Sequence, residues 1–597
     1  MSEAAPFQGL ADLASAGAGR ERHLHSGEVL FRQGEQGNHF YYVRRGRLRV
    51  LRANDNGARD IVGEVGRGEV VGEMAVLGDA TRSATVVATR DCDLTEIPGE
   101  LVASLPKEAL MDVMRLLATR MRDMLERGGI PHGRLPRCIT VLPLAADVPV
   151  IDYCQHLGES LRDGGKPPVI FKASDLPAEY RDIANGSAAS SAKLGYWLED
   201  LEEQSELVLL IADVQPTAWT RRCLLQADLV LLVANAGGDP TPGEAERMVS
   251  DLPGADEGAL PRIELVLFQE STPYRGTGKW LKGRNITRHY HVRLSSEADK
   301  ARAARLLIGR DLSFALGGGG ARGFAHVGLI RACQEMGIPV DRIGGTSMGA
   351  AVAALVAQEL PWEEMVGLLR ASFLPKWKLK QYTFPLIALD TGRKYSAMLA
   401  KLFGDIQIED LPISYYCMTT NLTRAEPRVH RDGSLANWVS TSMSLPGYVP
   451  PFIDRGELHV DGGLLNNLPI DIAKSEGTGM AIGVDVSPGG GFHLPEDFTG
   501  RPRLWDAIAP RFLRKKAIDG SPIQFPNIAT TLLRSACLSS VAQKEAMAKE
   551  ADLFIRMPVD SIPILAFEEL DKMVEIGYRT GLKTLTPAAE LAGVLPQ

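Results

Sequence analysis

Four consecutive glycines, Gly317 to Gly320, followed by Ala321, Arg322 and Gly323, lie between an apolar run, LSFAL, and a helix-forming one, FAHVGLIRACQEMG. Glycine lets the backbone bend and bring amide N–H groups close to a ligand. A helix start adds unpaired N–H groups and partial positive charge. Such a loop stabilises an anion, and two anions fit. Gly318-x-Gly320-x-x-Gly323 matches GxGxxG, which cradles a dinucleotide pyrophosphate. The alternative is the transient oxyanion of acyl transfer. The next strand discriminates. It reads DRIGGTSMG, so Gly345, Thr346, Ser347, Met348 and Gly349 form GxSxG at a strand-to-helix junction. That is the setting of a nucleophile elbow. A dinucleotide fold more often places an acidic ribose ligand at the end of that strand, whereas Asp341 precedes it. The two motifs together predict a serine hydrolase.

A serine nucleophile needs a base. The histidines after Ser347 are His430, His459 and His493, and none has a distinctive setting. His326, in the helix after the glycine loop, reads as a packed or capping residue. Asp461, in LHVDGGLLNNLP, ends an apolar strand and precedes Gly462 and Gly463. An Asp beside glycines is ordinarily a turn former, so these residues by themselves leave the base open.

GGGGARG, GTSMG and DGG, in this order, resemble the patatin-like phospholipases. IEDLPISYYCMTTNLTRAEPRVHRDGSLANWVSTSMSLPGYVPP and FEELDKMVEIGYR resemble the neuropathy target esterase branch, and the likeness covers about 311–584. The resemblance implies a Ser–Asp dyad without histidine: Ser347 as nucleophile and Asp461 as its base. It implies an oxyanion hole from the amides of Gly318, Gly319 and Gly320, with Met348, and support from Arg322. It further implies a carboxylic ester hydrolase acting on phospholipids or lysophospholipids, with no required cofactor.

The elements that position these residues follow from the texture of the chain. At 597 residues and 64.7 kDa, about 150 residues per domain suggests roughly four units. Hydrophobic residues at 45% and charged residues at 23% exclude wholesale disorder. The net charge of −8 argues against a dedicated nucleic-acid binder. Seven scattered cysteines with no CxxC spacing predict neither a disulfide framework nor a Cys-based zinc site, and fit a reducing cytoplasm. The first residues lack the basic start and apolar core of a signal peptide. No apolar run reaches the ~18 residues that span a bilayer, so membrane contact is expected to be peripheral.

Residues 311–597 are expected to form a three-layer α/β/α patatin-like domain, with its motif core at 313–475. Residues 138–308 alternate apolar runs such as CITVLPLA, ELVLLIADV and ADLVLLVANAG with helical segments, which predicts an α/β layer with a largely parallel sheet. This stretch resembles the nucleotide-hydrolase-like linker of neuropathy target esterase relatives. It has no Walker A motif: GTGK at 276–279 is followed by Trp280 and reads as a loop. Asp213 and Asp228, at strand edges, read as structural.

Residues 1–130 hold short glycine-punctuated strands up to about residue 98, a small β-barrel, and then a helix to about residue 127. Leu110, Met114, Leu117, Met121 and Met124 form a 3–4-spaced stripe on that helix. It packs on its own barrel or, alternatively, makes a homodimer seam or a lever. GEMAVL from Gly72 and Glu73, followed by Arg82 and Ser83, resembles the phosphate-binding cassette of cyclic-nucleotide-binding domains. That implies Arg82 on a cyclic phosphate and Glu73 on a ribose hydroxyl, with cAMP or cGMP as regulatory ligand; Ser83 leaves the base undetermined. The other reading is a barrel that binds nothing and only docks on its neighbour.

Lys376, Lys378 and Lys380 among Trp377, Tyr382 and Phe384 suit an anionic membrane interface or, equally, a solvated turn. Arg511, Arg514, Lys515 and Lys516 read as exposed surface.

Overall fold

A computed structural model describes residues 19–591 except 54–58, 79, 105–106, 127–134, 161–167, 182–187, 375–386, 478 and 488–537. The two lysine- and arginine-rich stretches near 376–384 and 511–516, His493 and Cys537 lie outside the described residues. The chain divides into two compact units, residues 1–271 with 279–308, and residues 272–278 with 309–597.

The first unit opens with two four-stranded antiparallel sheets. Phe31, Tyr41, Val43, Leu48, Val86 and Leu94 interlock between them, because alternation along each strand turns every second side chain inward. The helix that follows runs Lys107–Glu126. Its barrel contact is made by Ala109 and Val113, with Leu117 at the margin. Leu110 and Met114 of the expected stripe are 38% and 56% exposed. Residues 109, 113 and 117 lie one residue, about 100°, round the helix from the 110–114 line, so the small side chains and not the longest ones face the barrel.

The same unit continues as a six-stranded sheet, all parallel, in the order Val169–Phe171, Val208–Ile211, Cys138–Pro143, Leu229–Asn235, Arg262–Phe268, Arg288–Val292. Helices cover both faces with separate apolar cores, which is why these strands read as unbroken hydrophobic runs. GTGK does not remain a loop, since a short helix spans Thr277–Leu281.

Barrel and parallel layer are joined by charge. Arg90 donates to both Glu202 oxygens at 2.8 and 2.9 Å and to Asp228 at 2.6 Å; Arg47 also pairs with Asp228. The other Asp228 oxygen accepts the amides of Arg137 and Cys138 at 2.8 and 3.1 Å. Burial pushes the Asp228 carboxyl up, but the two arginines and two amides outweigh it and hold it well below the usual carboxylate range.

The second unit is built on an eight-stranded sheet. Its order is Phe452–Asp454, Glu457–Asp461, Ser414–Asn421, Arg342–Thr346, Leu312–Leu316, Met480–Asp485, Leu553–Arg556, with Glu426–His430 also pairing on Ser414–Asn421. The strands from 414 to 556 in that order run parallel; Glu457–Asp461 is antiparallel. One face carries helices Phe324–Met336, Met348–Ala357, Trp362–Phe373 and Leu570–Leu591. The other carries Ile470–Glu476 and Leu538–Glu550, completing three layers. A Cβ on Gly328 would lie 1.9 Å from the Val574 carbonyl, and one on Gly577 1.9 Å from that of Ala325, so glycines let these two helices touch backbone to backbone.

Candidate active site

The strand Arg342–Thr346 ends at Ser347, which adopts φ 55°, ψ −124° and starts helix Met348–Ala357. A non-glycine residue occupies positive φ only under constraint. The constraint is packing: a Cβ on Gly345 would meet the Leu316 carbonyl at 2.5 Å, and one on Gly349 would meet it at 2.2 Å. Both motif glycines are sterically obligatory, and the bend between them presents the hydroxyl.

The Ser347 side chain lies near enough to the Asp461 carboxyl to pull it down against burial. The Asp461 Oδ1 also accepts the Gly463 amide at 2.8 Å, capping the turn Gly462–Leu464. The aspartate is thus a turn former that also lies beside Ser347. Burial pushes its carboxyl up to about 6, against the opposing pull of the Gly463 amide and the Ser347 side chain. A carboxyl in that range holds and releases a proton near neutral pH, as a general base must.

No histidine bonds to Ser347 or Asp461 among the described residues. His430 stacks on Trp438, ring centroids 3.5 Å apart, and meets Thr419 Oγ1 at 2.7 Å. Burial pushes it down to about 3. His459 approaches the same Thr419 hydroxyl at 3.4 Å. His326 is a packed residue beneath the glycine loop: its Nε2 lies 2.8 Å from the Gly317 carbonyl, and burial pushes the ring down to about 4.

The loop itself divides its amides. Gly317 donates to Val484 O at 2.9 Å, Gly318 to Asn467 O at 3.2 Å and Ala321 to Ile564 O at 2.8 Å. Gly318, counted among the expected oxyanion donors, is therefore already engaged. The amides of Gly319, Gly320 and Met348 have no acceptor among the described residues. Arg322 donates to the carbonyls of Ile562 at 2.6 Å and Asp560 at 3.0 Å, bracing the loop against the distant 560–564 stretch. Gly323 packs on the Met348 side chain, and Gly462 on the Met418 backbone.

Sequence reasoning missed two residues. The buried Ser442 hydroxyl accepts the Ser347 amide at 2.9 Å. The Asn467 side chain donates to Gly318 O at 3.0 Å. The only signal was polar residues, STS and NN, set against apolar flanks. Among the described residues no cluster of His, Cys, Asp and Glu could hold a metal, the six described cysteines are free and buried, and no helix is long and apolar enough to cross a membrane.

In the barrel, Gly72 takes φ 85° before the five-residue helix Glu73–Leu77, with Glu73 buried. Arg82 is 5% exposed; it donates to Gly72 O at 2.8 Å and His39 O at 2.7 Å and lies 4.1 Å over the Phe31 ring. Ser83 is exposed.

Residues 314–474 match the family model for patatin-like phospholipases, 136–309 the P-loop like domain of the Neuropathy Target Esterase family, and 21–108 the cyclic nucleotide-binding domain. Fold and matches together define a patatin-type layered domain joined to a P-loop-like sheet and a cyclic-nucleotide-binding barrel. "Patatin-like phospholipase domain-containing protein 7" of Rattus norvegicus is 31% identical over 94% of this chain and 45% of its own length. "Lysophospholipase nte1" of Aspergillus fumigatus is 32% identical over 94% and 41%, and "Neuropathy target esterase sws" of Drosophila melanogaster 31% over 94% and 42%. The chain is similar to these neuropathy target esterase and patatin-like relatives, and spans less than half of their length.

Proposed function

We propose that this protein is a serine hydrolase that cleaves fatty-acyl esters of phospholipids or lysophospholipids. The observation that carries the reading is the Ser347 side chain beside the buried Asp461 carboxyl, next to a glycine loop whose Gly319 and Gly320 amides have no acceptor among the described residues. Asp461 takes the Ser347 proton as the oxygen attacks the ester carbonyl. The tetrahedral oxyanion is met by amides from Gly319, Gly320 and Met348, and on collapse Asp461 passes the proton to the leaving oxygen, so that the alcohol departs, the carboxylate is restored and an acyl-enzyme remains. Water, giving its proton to the same carboxylate, then attacks the acyl carbon, and the Ser347–acyl bond breaks as that proton returns to Ser347 Oγ and the fatty acid leaves. The lipid class draws support from the printed names of the relatives, one of them a lysophospholipase. The protein works from the cytoplasmic side of a membrane as a peripheral enzyme.

The test uses the full chain. A fluorophosphonate should label it, and Ser347→Ala should abolish both labelling and hydrolysis of lysophosphatidylcholine micelles. Activity confined to short p-nitrophenyl esters would remove the lipid assignment. Absence of labelling would favour a silent scaffold. The barrel is read as a regulatory module for cAMP or cGMP, with Glu73, Arg82 and Ser83 around the ligand. Calorimetry with each nucleotide decides this, and no heat from either would leave a docking barrel.

A further inference from the structure

The glycine loop and the DGG loop are joined at one residue pair. Gly318 donates its amide to Asn467 O at 3.2 Å, and the Asn467 side-chain amide donates back to Gly318 O at 3.0 Å. The space there is full. A Cβ on Gly318 would lie 2.7 Å from Asn467 Oδ1 and 3.1 Å from the Ser347 Cβ; one on Gly463 would lie 2.9 Å from the same Asn467 oxygen. Asn467 thus sits at the junction of the oxyanion loop, the nucleophile and the turn that carries Asp461. The neighbouring Asn466 ties the third strand end, its carbonyl accepting from the Thr346 hydroxyl at 2.9 Å.

One geometric consequence is specific. The carbonyl of Gly318 and the amide N–H of Gly319 belong to the same planar trans peptide, so they point in opposite directions. Whatever holds the Gly318 oxygen also aims the Gly319 N–H. Between two glycines that peptide could otherwise rotate at little cost. We propose that Asn467 is a positioning residue whose side-chain amide, by anchoring the Gly318 carbonyl, fixes the Gly318–Gly319 peptide with the Gly319 N–H turned toward the reacting oxyanion. The proposal deepens the hydrolase reading above and rests on it.

The experiment compares Asn467→Ala and Asn467→Asp with wild type in the full chain, on lysophosphatidylcholine and by the rate of fluorophosphonate labelling at Ser347. An oxyanion donor is worth ~10²–10³ in rate. Asn467→Ala should lower kcat and the labelling rate together by about 100-fold, while KM stays within about threefold. The acid limb of the pH profile should keep its wild-type midpoint, because Asp461 is untouched. Asn467→Asp should be worse still, since a carboxylate in place of the donor repels the Gly318 carbonyl. A merely structural residue would lower melting temperature without this split between kcat and KM. If Asn467→Ala has no melting transition, Asn467→Ser carries the test, because a hydroxyl on a shorter arm should lose part of the rate. Either folded variant at wild-type kcat and labelling rate overturns the proposal. A wild-type chain neither labelled nor active overturns the hydrolase reading itself, and with it this one.

Discussion

Ser347 and Ser442 are 95 positions apart, yet the Ser442 hydroxyl accepts the Ser347 amide at 2.9 Å. A hydroxyl holds the bend at the serine's nitrogen, and the Asp461 carboxyl lies beside its side chain. The stretch around Ser442 also reaches Asp461, whose amide donates to Ser444 O at 3.0 Å. It reaches the flanking helix Arg393–Phe403 too, through Ser440 to Ser396 at 3.2 Å and Met443 Sδ to the Tyr395 hydroxyl at 2.9 Å.

Ser442→Ala leaves the part-buried Ser347 amide without its acceptor, which costs up to about 1–3 kcal/mol. We expect a lower melting temperature and a fall of about tenfold in labelling rate, the bend being freer to relax. Ser442→Thr, which keeps the hydroxyl, should retain most of the rate. Equal labelling of wild type and Ser442→Ala would show that packing alone holds the bend.

Asp461 sets the acid limit. With its carboxyl near 6, hydrolysis should rise with pH through about 6 and then level off. Asp461→Asn should lose at least ~10² in kcat, as the proton acceptor is gone. Its stability should move the other way. The folded value lies above the unfolded one, so the ionised carboxylate costs stability above about 6, and the cost disappears below the unfolded range near 4. Asn at this site should be more stable at pH 8 by at most about 3 kcal/mol, the gap closing by pH 4. Urea denaturation at the two pH values measures it.

The two buried rings set an acid limit on stability. His326 and His430 lie near 4 and 3 in the folded chain, below the usual imidazole value of ~6.5. Both fold as neutral rings. Their contribution is complete above about 6.5 and is lost as pH falls from there toward 4, because the unfolded chain takes up protons first. The second unit should therefore lose urea resistance between pH 7.5 and 5. His326→Gln, which keeps a donor for Gly317 O, should flatten that dependence.

Asp228 answers for the joint within the first unit. Asp228→Asn leaves Arg47 and Arg90 buried with one carboxylate, Glu202, to share. Breaking such a network costs ~3–5 kcal/mol. Because the carboxyl is held below its ordinary range, the stabilisation is present above about pH 4 and lost as pH falls further. Scanning calorimetry of both chains at pH 7 should show the melting of the first unit moved to lower temperature in the variant.

Arg82 has a role that needs no nucleotide. Its two hydrogen bonds to carbonyls and its stacking on Phe31 should make Arg82→Ala destabilising by about 2–3 kcal/mol in ligand-free protein. Thermal melting followed at the barrel checks this, and any loss of nucleotide binding in that variant must be read against it.

The sequence by itself determined what local chemistry fixes. GGGGARG and GTSMG declared a glycine loop and a strained serine, since only glycine tolerates the close approach of Leu316 at positions 345 and 349. Unbroken apolar runs declared buried parallel strands, and order along the chain gave the three kinds of region. Tertiary structure alone decided the rest. Asp461 read as a turn former, and it is one; that it also reaches Ser347 depends on an antiparallel strand pairing 419 with 461. Gly318 read as an oxyanion donor until Asn467 arrived from 149 positions away. Leu110 and Met114 read as the buried stripe, yet Ala109 and Val113 were the side chains small enough to let the helix lie against the barrel. Local motifs specify which backbone shapes are permitted. Which distant hydroxyl, amide or carboxylate completes them is set by sheet order and packing, and no spacing along the chain encodes it.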